Sequence, residues 1–246
     1  MPKLNLDKIG RVLCKVKGGT YNNKVVSVSD EENNKIKQFN SFTLPSGKFQ
    51  QIPNIDTERE CQFITGPSGS GKSTYIYNYL VEYKKLKKKN EIYLFSILDS
   101  DESLDAIKPL RIRIDDNLQD FDINNFKDSM VIFDDTDVIS NKNHKGYVNA
   151  IRDKILQIGR HSNIDCLITS HIPTGQDLKM VLNECSSIVY FPQSGQVRQI
   201  NYMLINYVGI DLKTIELIKS LNSRWCCIFK NYPQIALTEK NIFLLN

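Results

Sequence analysis

The sequence predicts an α/β fold: a mostly parallel central sheet flanked by helices, preceded by a small β-rich element. Three observations predict it. From residue 58 onward apolar strand-like runs alternate with helical stretches, the pattern of a parallel sheet covered on both faces. One of those runs leads into a glycine-rich turn, GPSGSGKST, which opens a helical stretch. Another, MVIF, ends in two consecutive aspartates, Asp134 and Asp135.

The elements follow in order. RVLCKVKGGTYNNKVVSVS alternates apolar and polar residues around GGTYNN, which predicts a β-hairpin. Polar, turn-rich sequence follows, so residues 1–57 are expected to form a β-rich arm and residues 58–246 the main domain. ECQFITG is the first buried strand. From Lys72 to about Leu86 the spacing of Tyr75, Ile76, Tyr79, Leu80 and Tyr83 predicts a helix. EIYLFSIL and SMVIFDD are the next strands, YVNAIRDKILQIG an amphipathic helix, and NIDCLITSH and CSSIVYFP the fourth and fifth strands. QVRQINYMLINYV and DLKTIELIKSL read as helices. RWCCIFK, QIALTE and NIFLL, within residues 222–246, read as short strands closing one sheet edge, with Trp225 in the core.

Composition sets limits on function. With 41% hydrophobic and 24% charged residues over 246 positions, the chain can bury an ordinary core. No apolar run reaches the ~18 to 20 residues that cross a bilayer, and MPKLNLDKIGRV lacks the apolar segment of a secretory signal. A cytosolic protein without a membrane partner is expected. The six cysteines show no spacing that would hold zinc, and those in DCLITS and WCCIF read as small buried hydrophobes. A net charge of +4 permits a polyanionic partner without requiring one.

Gly66, Pro67, Ser68, Gly69, Ser70, Gly71, Lys72, Ser73 and Thr74 satisfy the P-loop pattern G-x-x-x-x-G-K-[ST]. Its glycines let backbone amides curl around a β-phosphate, its lysine bridges β- and γ-phosphates, and its hydroxyl ligates Mg²⁺ at a helix N-terminus. The expected ligands are therefore ATP and Mg²⁺, with Ser73 as one metal ligand. A second acid site is needed at a neighbouring strand end. Asp134 is expected to hold Mg²⁺ through water, and Asp135 to orient or deprotonate the attacking water. A switch GTPase would show D-x-x-G and N-K-x-D, whereas this chain has Asp134-Asp135-Thr136-Asp137 and Asn141-Lys142-Asn143-His144.

QIGRHSNIDCLITSHIP is the third signal. Its strand delivers Thr169, Ser170 and His171 to the edge that carries the acids. If it lies between the other two site strands, as in RecA-like ATPases of the additional-strand class, His171 can reach the γ-phosphate or the lytic water. GPSGSGKST, VIFDD and GRHSNIDCLITSHIP, in that order, resemble the motifs of FtsK/HerA-type DNA-pumping ATPases. They look most like the genome-packaging ATPases of poxvirus-type large DNA viruses and of virophages. The resemblance covers about residues 58 to 200.

The resemblance implies a homo-oligomeric ring, pentamer or hexamer, that hydrolyses ATP and drives double-stranded DNA into a viral capsid at a portal vertex. It also implies a place in the host cytoplasm, at the viral factory, and in the virion. An arginine from one subunit would complete the next subunit's site; by position that is Arg160, followed by Arg152, Arg198 and Arg224. FtsK-type translocases have Gln where this chain has His171, so the sensor role carries over but not its detailed chemistry. KKLKKK reads first as the solvated, dipole-complementing end of a helix. SNKNHKGY, with Lys142, His144 and Lys145, reads as a loop near the catalytic edge. Two other functions fit a P-loop chain of this size. One is a nucleoside or nucleotide kinase, which usually carries an arginine-rich lid. The other is a nucleotide-ordered assembly factor without DNA pumping.

Overall fold

The computed structural model describes residues 1–30, 33, 35–54 and 59–245. The expected boundary between residues 57 and 58 lies outside the described residues. The chain divides into two compact units, Met1–Asp56 with Ser187–Asn246, and Thr57–Ser186.

The first unit begins with β1 (Lys3–Asn5), β2 (Arg11–Lys17), β3 (Val25–Ser29), β4 (Gln38–Phe39), β5 (Ser41–Thr43) and β6 (Lys48–Gln51). Five of these form an antiparallel sheet in the order β4-β1-β3-β2-β6. The expected hairpin is β2–β3, closed by a turn in which Gly18 donates its N–H to Asn22 Oδ1 at 2.8 Å. Leu13, Cys14, Val16, Val26 and Val28 supply the buried apolar side chains of that pair.

The second unit alternates strand and helix. It comprises β7 (Cys61–Thr65), α1 (Lys72–Leu86), β8 (Ile92–Ser96), α2 (Glu102–Asp105), β9 (Leu110–Arg111), β10 (Met130–Asp134), α3 (Lys142–Ile158), β11 (Asp165–Ser170) and α4 (Lys179–Glu184). Its strands run parallel in the order β7-β11-β10-β8-β9. All residues of β7, β10 and β11 are buried, as expected for strands covered on both faces. Phe95 stacks on Phe133 with centroids 4.9 Å apart, and Phe126 packs on Tyr93 and Phe95. α1 spans the expected residues and buries Tyr75, Ile76, Tyr79, Leu80 and Tyr83.

SNKNHKGY departs from its expected loop. α3 starts at Lys142 rather than Tyr147, because the Asn141 side chain caps the helix by accepting from the amides of Asn143 and His144. KKLKKK is largely committed to the fold. Lys87 reaches buried Asp165 at 2.6 Å, Lys85 pairs with Glu82 at 2.8 Å, and Lys84 donates to the Asn90 carbonyl at 3.0 Å.

The first unit resumes with β12 (Ser187–Tyr190), α5 (Val197–Met203), α6 (Leu212–Ser220), β13 (Cys226–Phe229), β14 (Ile235–Thr238) and β15 (Asn241–Leu244). β13, β14 and β15 are the short strands expected near the C-terminal end. Within the unit they pair antiparallel in the order β5-β15-β14-β13-β12. Trp225 precedes β13 and is half-buried rather than in the core. All six cysteines are buried free thiols.

Candidate nucleotide site

Three parallel strands deliver the site's side chains at their carboxyl ends: β7 leads into the P-loop, β10 into the acid pair, and β11 into Thr169, Ser170 and His171. β11 lies between the other two, pairing with β7 through Cys166↔Cys61 to Ser170↔Thr65 and with β10 through Met130↔Asp165 to Phe133↔Ile168. The sequence-derived condition for His171 to reach the site is met.

Glycines give the P-loop its turn. Gly69 and Gly71 have φ of 75° and 106°, a region that side-chain-bearing residues rarely adopt. Gly71 sits at the N-cap of α1 with no side-chain cap, and no acidic side chain lies in the first turn. The positive end of the helix dipole therefore faces the loop. Ser70 Oγ is buried without a hydrogen-bond partner, an orphan that an anion in the loop would satisfy. Ser68 and Thr74 are exposed, and Pro67 half-buried.

Lys72 is 7% exposed, and its ammonium sits among three acceptors. It donates to the Gly66 carbonyl at 2.9 Å and contacts His171 Nδ1 at 3.2 Å and Asp135 Oδ2 at 3.4 Å. His171 Nε2 is 3.1 Å from the same Asp135 oxygen. Because an ammonium can only donate, Nδ1 is the acceptor and the proton sits on Nε2, pointed at Asp135. Lys72, His171 and Asp135 thus form a closed triangle in which one carboxylate oxygen takes both partners.

In a regular strand, Asp134 and Asp135 would point to opposite faces. Here both reach the Thr169 hydroxyl, at 3.0 and 2.9 Å, and the Asp135 N–H donates to it at 2.7 Å. The reason is the backbone at Asp135, whose φ of 46° and ψ of 38° end the strand in a left-handed turn. Asp134 is buried, and Ser96 Oγ lies 3.4 Å from its Oδ2. Burial pushes its carboxyl up to about 6, the neighbouring charge of Asp135 adds to this, and the Thr169 hydroxyl opposes it.

That shift has a measurable consequence. A carboxyl with a raised folded-state value contributes stability that is present below its unfolded value of 3.8 and is lost as pH rises through about 6. The difference corresponds to ~3 kcal/mol against the nucleotide-free fold at pH 8. Asp134→Asn is therefore expected to raise the melting temperature in chelator at pH 8, with a gain that vanishes near pH 4. A gain independent of pH would contradict the assignment.

The oxygen donors around Ser73 and Asp134 suit Mg²⁺, which takes few protein ligands and keeps waters and phosphates for the rest. Ser73 Oγ donates to Asp101 Oδ2 at 3.1 Å, a contact that the sequence did not disclose. Asp101 is also one of the charges that raise Asp134. Beside the site lies a cleft of about 620 Å³, lined in part by Ser96, Leu98, Arg111, Arg113 and His144. These three basic side chains each meet a carboxylate, in Asp105, Asp115 and Asp116 respectively, so the cleft is no open cationic track.

The arginines lie elsewhere. Arg160 is exposed in the turn Gly159–Ser162, before the amino end of β11 and so at the sheet edge opposite the P-loop. Arg152 is 3% exposed and committed to Asn149, Asp153 and the Asp177 carbonyl, which leaves it no freedom to enter a site. Arg198 and Arg224 are exposed in the other unit. Lys145 pairs with Asp177 at 3.2 Å, whereas Lys142 is exposed in the first turn of α3. Among the described residues no helix is long and apolar enough to cross a membrane.

No family model matches the sequence. The chain is 41% identical over 240 residues to uncharacterized protein V3 of Sputnik virophage, covering 96% of both chains. Its fold is similar to that of B204, the DNA-packaging ATPase from Sulfolobus turreted icosahedral virus. The TM-score is 0.52 at 16% identity, over 78% of this chain and 100% of B204. The genome-packaging NTPase B204 from Sulfolobus turreted icosahedral virus 2, in complex with ATP-γS, gives a TM-score of 0.50 at 14% identity, over 77% of this chain and 98% of that one. The chain belongs to the virophage protein family that includes Sputnik V3, and its P-loop fold is similar to that of B204.

Proposed function

We propose that this chain hydrolyses ATP and couples hydrolysis to movement of double-stranded DNA into a preformed capsid, working as a homo-oligomeric ring. The observation that carries the reading is the central position of β11, which brings His171, Lys72 and Asp135 within hydrogen-bond reach. A phosphate-binding loop alone would serve many activities. An acid and an imidazole held against the P-loop lysine equip this one for attack by water.

The residues then divide the work. Gly66 to Thr74 wrap the phosphates, and Lys72 exchanges Asp135 for the terminal phosphate oxygens. Asp135, relieved of Lys72, keeps the His171 Nε2–H and turns its free lone pairs on a water molecule, orienting it or taking its proton. Thr169 fixes both acids. Ser73 and Asp134 would hold Mg²⁺, which supplies charge neutralisation on the triphosphate. Arg160, at the strand end opposite its own subunit's loop, is assigned in this reading to a neighbour's site, where its guanidinium would offset the charge developing on the γ-phosphoryl group. DNA contact needs only backbone-directed cations such as Lys142, because a motor must not read sequence. The chain's place of action in this reading is the host cytoplasm, at the viral factory, with retention in the virion as a further expectation.

ATP turnover of the purified chain, with and without double-stranded DNA, tests this. Stimulation by DNA is expected. Turnover that ignores DNA and requires a nucleoside acceptor would instead identify a kinase. Mixing Arg160→Ala with Lys72→Ala subunits is expected to restore part of the activity that each lacks alone. No restoration would count against Arg160 acting between subunits.

A further inference from the structure

We propose that Asp101 is a positioning residue for the metal-ligating hydroxyl of Ser73; this rests on the reading of the site as one for Mg·ATP. Asp101 follows β8 and caps α2. Its Oδ1 accepts the Leu104 amide at 2.9 Å, and its own N–H donates to Asp105 Oδ2 at 2.8 Å. Asp105 is held in turn by Arg111 at 2.7 Å, and Arg111 also donates to the Leu98 carbonyl at 2.7 Å. Capping uses one carboxylate oxygen. The other, Oδ2, is left facing the P-loop helix, where it accepts the Ser73 hydroxyl at 3.1 Å.

A hydroxyl has one proton and two lone pairs. A serine in the first turn of a helix can rotate freely, and its proton has carbonyl acceptors nearby. Committing that proton to Asp101 fixes the rotor and leaves the lone pairs for a cation. Asp101 lies on the loop that follows β8, the strand whose last residue, Ser96, pairs with Asp134 at the end of β10. In this proposal Asp101 acts through the orientation of Ser73, as the outer-shell partners of metal ligands do.

The test measures binding of a fluorescent, non-hydrolysable ATP analogue to the full chain while Mg²⁺ is titrated. Asp101→Asn and Asp101→Ser both keep a side chain able to cap α2 but remove the carboxylate that faces Ser73. Each is expected to raise the half-maximal Mg²⁺ concentration about 10-fold, while affinity without Mg²⁺ stays within about twofold of the parent. In a Ser73→Ala background the same changes should have no further effect, because the intermediary is gone. An unshifted Mg²⁺ midpoint in a parent that does respond to Mg²⁺ would overturn the role of Asp101 alone. So would an equal loss of Mg²⁺-free affinity, which would mean that Asp101 merely shapes the loop. A parent indifferent to Mg²⁺ would overturn the metal-dependent reading and this role with it.

Discussion

Lys72→Ala is expected to lower ATP turnover by at least roughly 10²- to 10³-fold, the scale for removing a preorganised group that stabilises transition-state charge. Nucleotide affinity should fall as well, because the ammonium is the buried cation of the loop. The variant also leaves Asp135 and His171 facing each other without the charge that Lys72 supplies at 3.4 and 3.2 Å. The His171 Nε2–H still faces the Asp135 carboxylate at 3.1 Å, so the fold should survive. Calorimetric nucleotide binding and steady-state turnover check both parts. Unchanged nucleotide affinity would show that the amides of the loop, and not Lys72, carry phosphate recognition.

Asp135→Asn should separate binding from chemistry. Turnover is expected to drop by ~10²- to 10⁴-fold, the usual contribution of a positioned general base. Nucleotide should bind at least as tightly as before, because the charge that competes with phosphate for Lys72 has gone. The two variants therefore differ in direction on affinity while agreeing on turnover. Loss of affinity matching that of Lys72→Ala would contradict the exchange of partners at Lys72. It would make Asp135 a structural anchor of the loop instead.

Much of this site was legible in the chain because its parts are local. A strand, a glycine turn and a helix opened by Lys72 are consecutive in sequence, and α1 keeps its expected bounds. The acid pair and His171 likewise sit at the ends of apolar runs whose burial the composition dictates. What was not legible depends on register. Thr169 bridges both acids because Phe133 pairs with Ile168, which puts the next residue of β11 opposite Asp134; nothing in DCLITS specifies that alignment. The positive φ at Asp135, which brings the second carboxylate to the same hydroxyl, is equally a product of the packed strand end.

Asp101 was hidden for a different reason. ILDSDESLD contains four acids with no apolar periodicity, and only the capping geometry of α2 selects one of them to face Ser73. The start of α3 was missed because KNHKG offers no apolar face, so the helix there is set by the Asn141 cap rather than by propensity. Arg152 shows the limit of spacing arguments from the other side. It lies on the same helix that leads to Arg160, yet it is buried and spent on three local partners. The C-terminal strands were read as strands, but their antiparallel pairing with β12 and β5 required the tertiary fold.

The most direct test of a DNA-moving motor is displacement of a triplex-forming oligonucleotide from duplex DNA by the purified chain. Wild-type protein with ATP is expected to strip the third strand at a rate that follows turnover. Asp135→Asn, or wild-type protein with a non-hydrolysable analogue, should leave the triplex intact while still binding nucleotide. Vigorous DNA-stimulated hydrolysis that never displaces the third strand would contradict translocation and reduce the protein to a nucleotide-driven assembly factor.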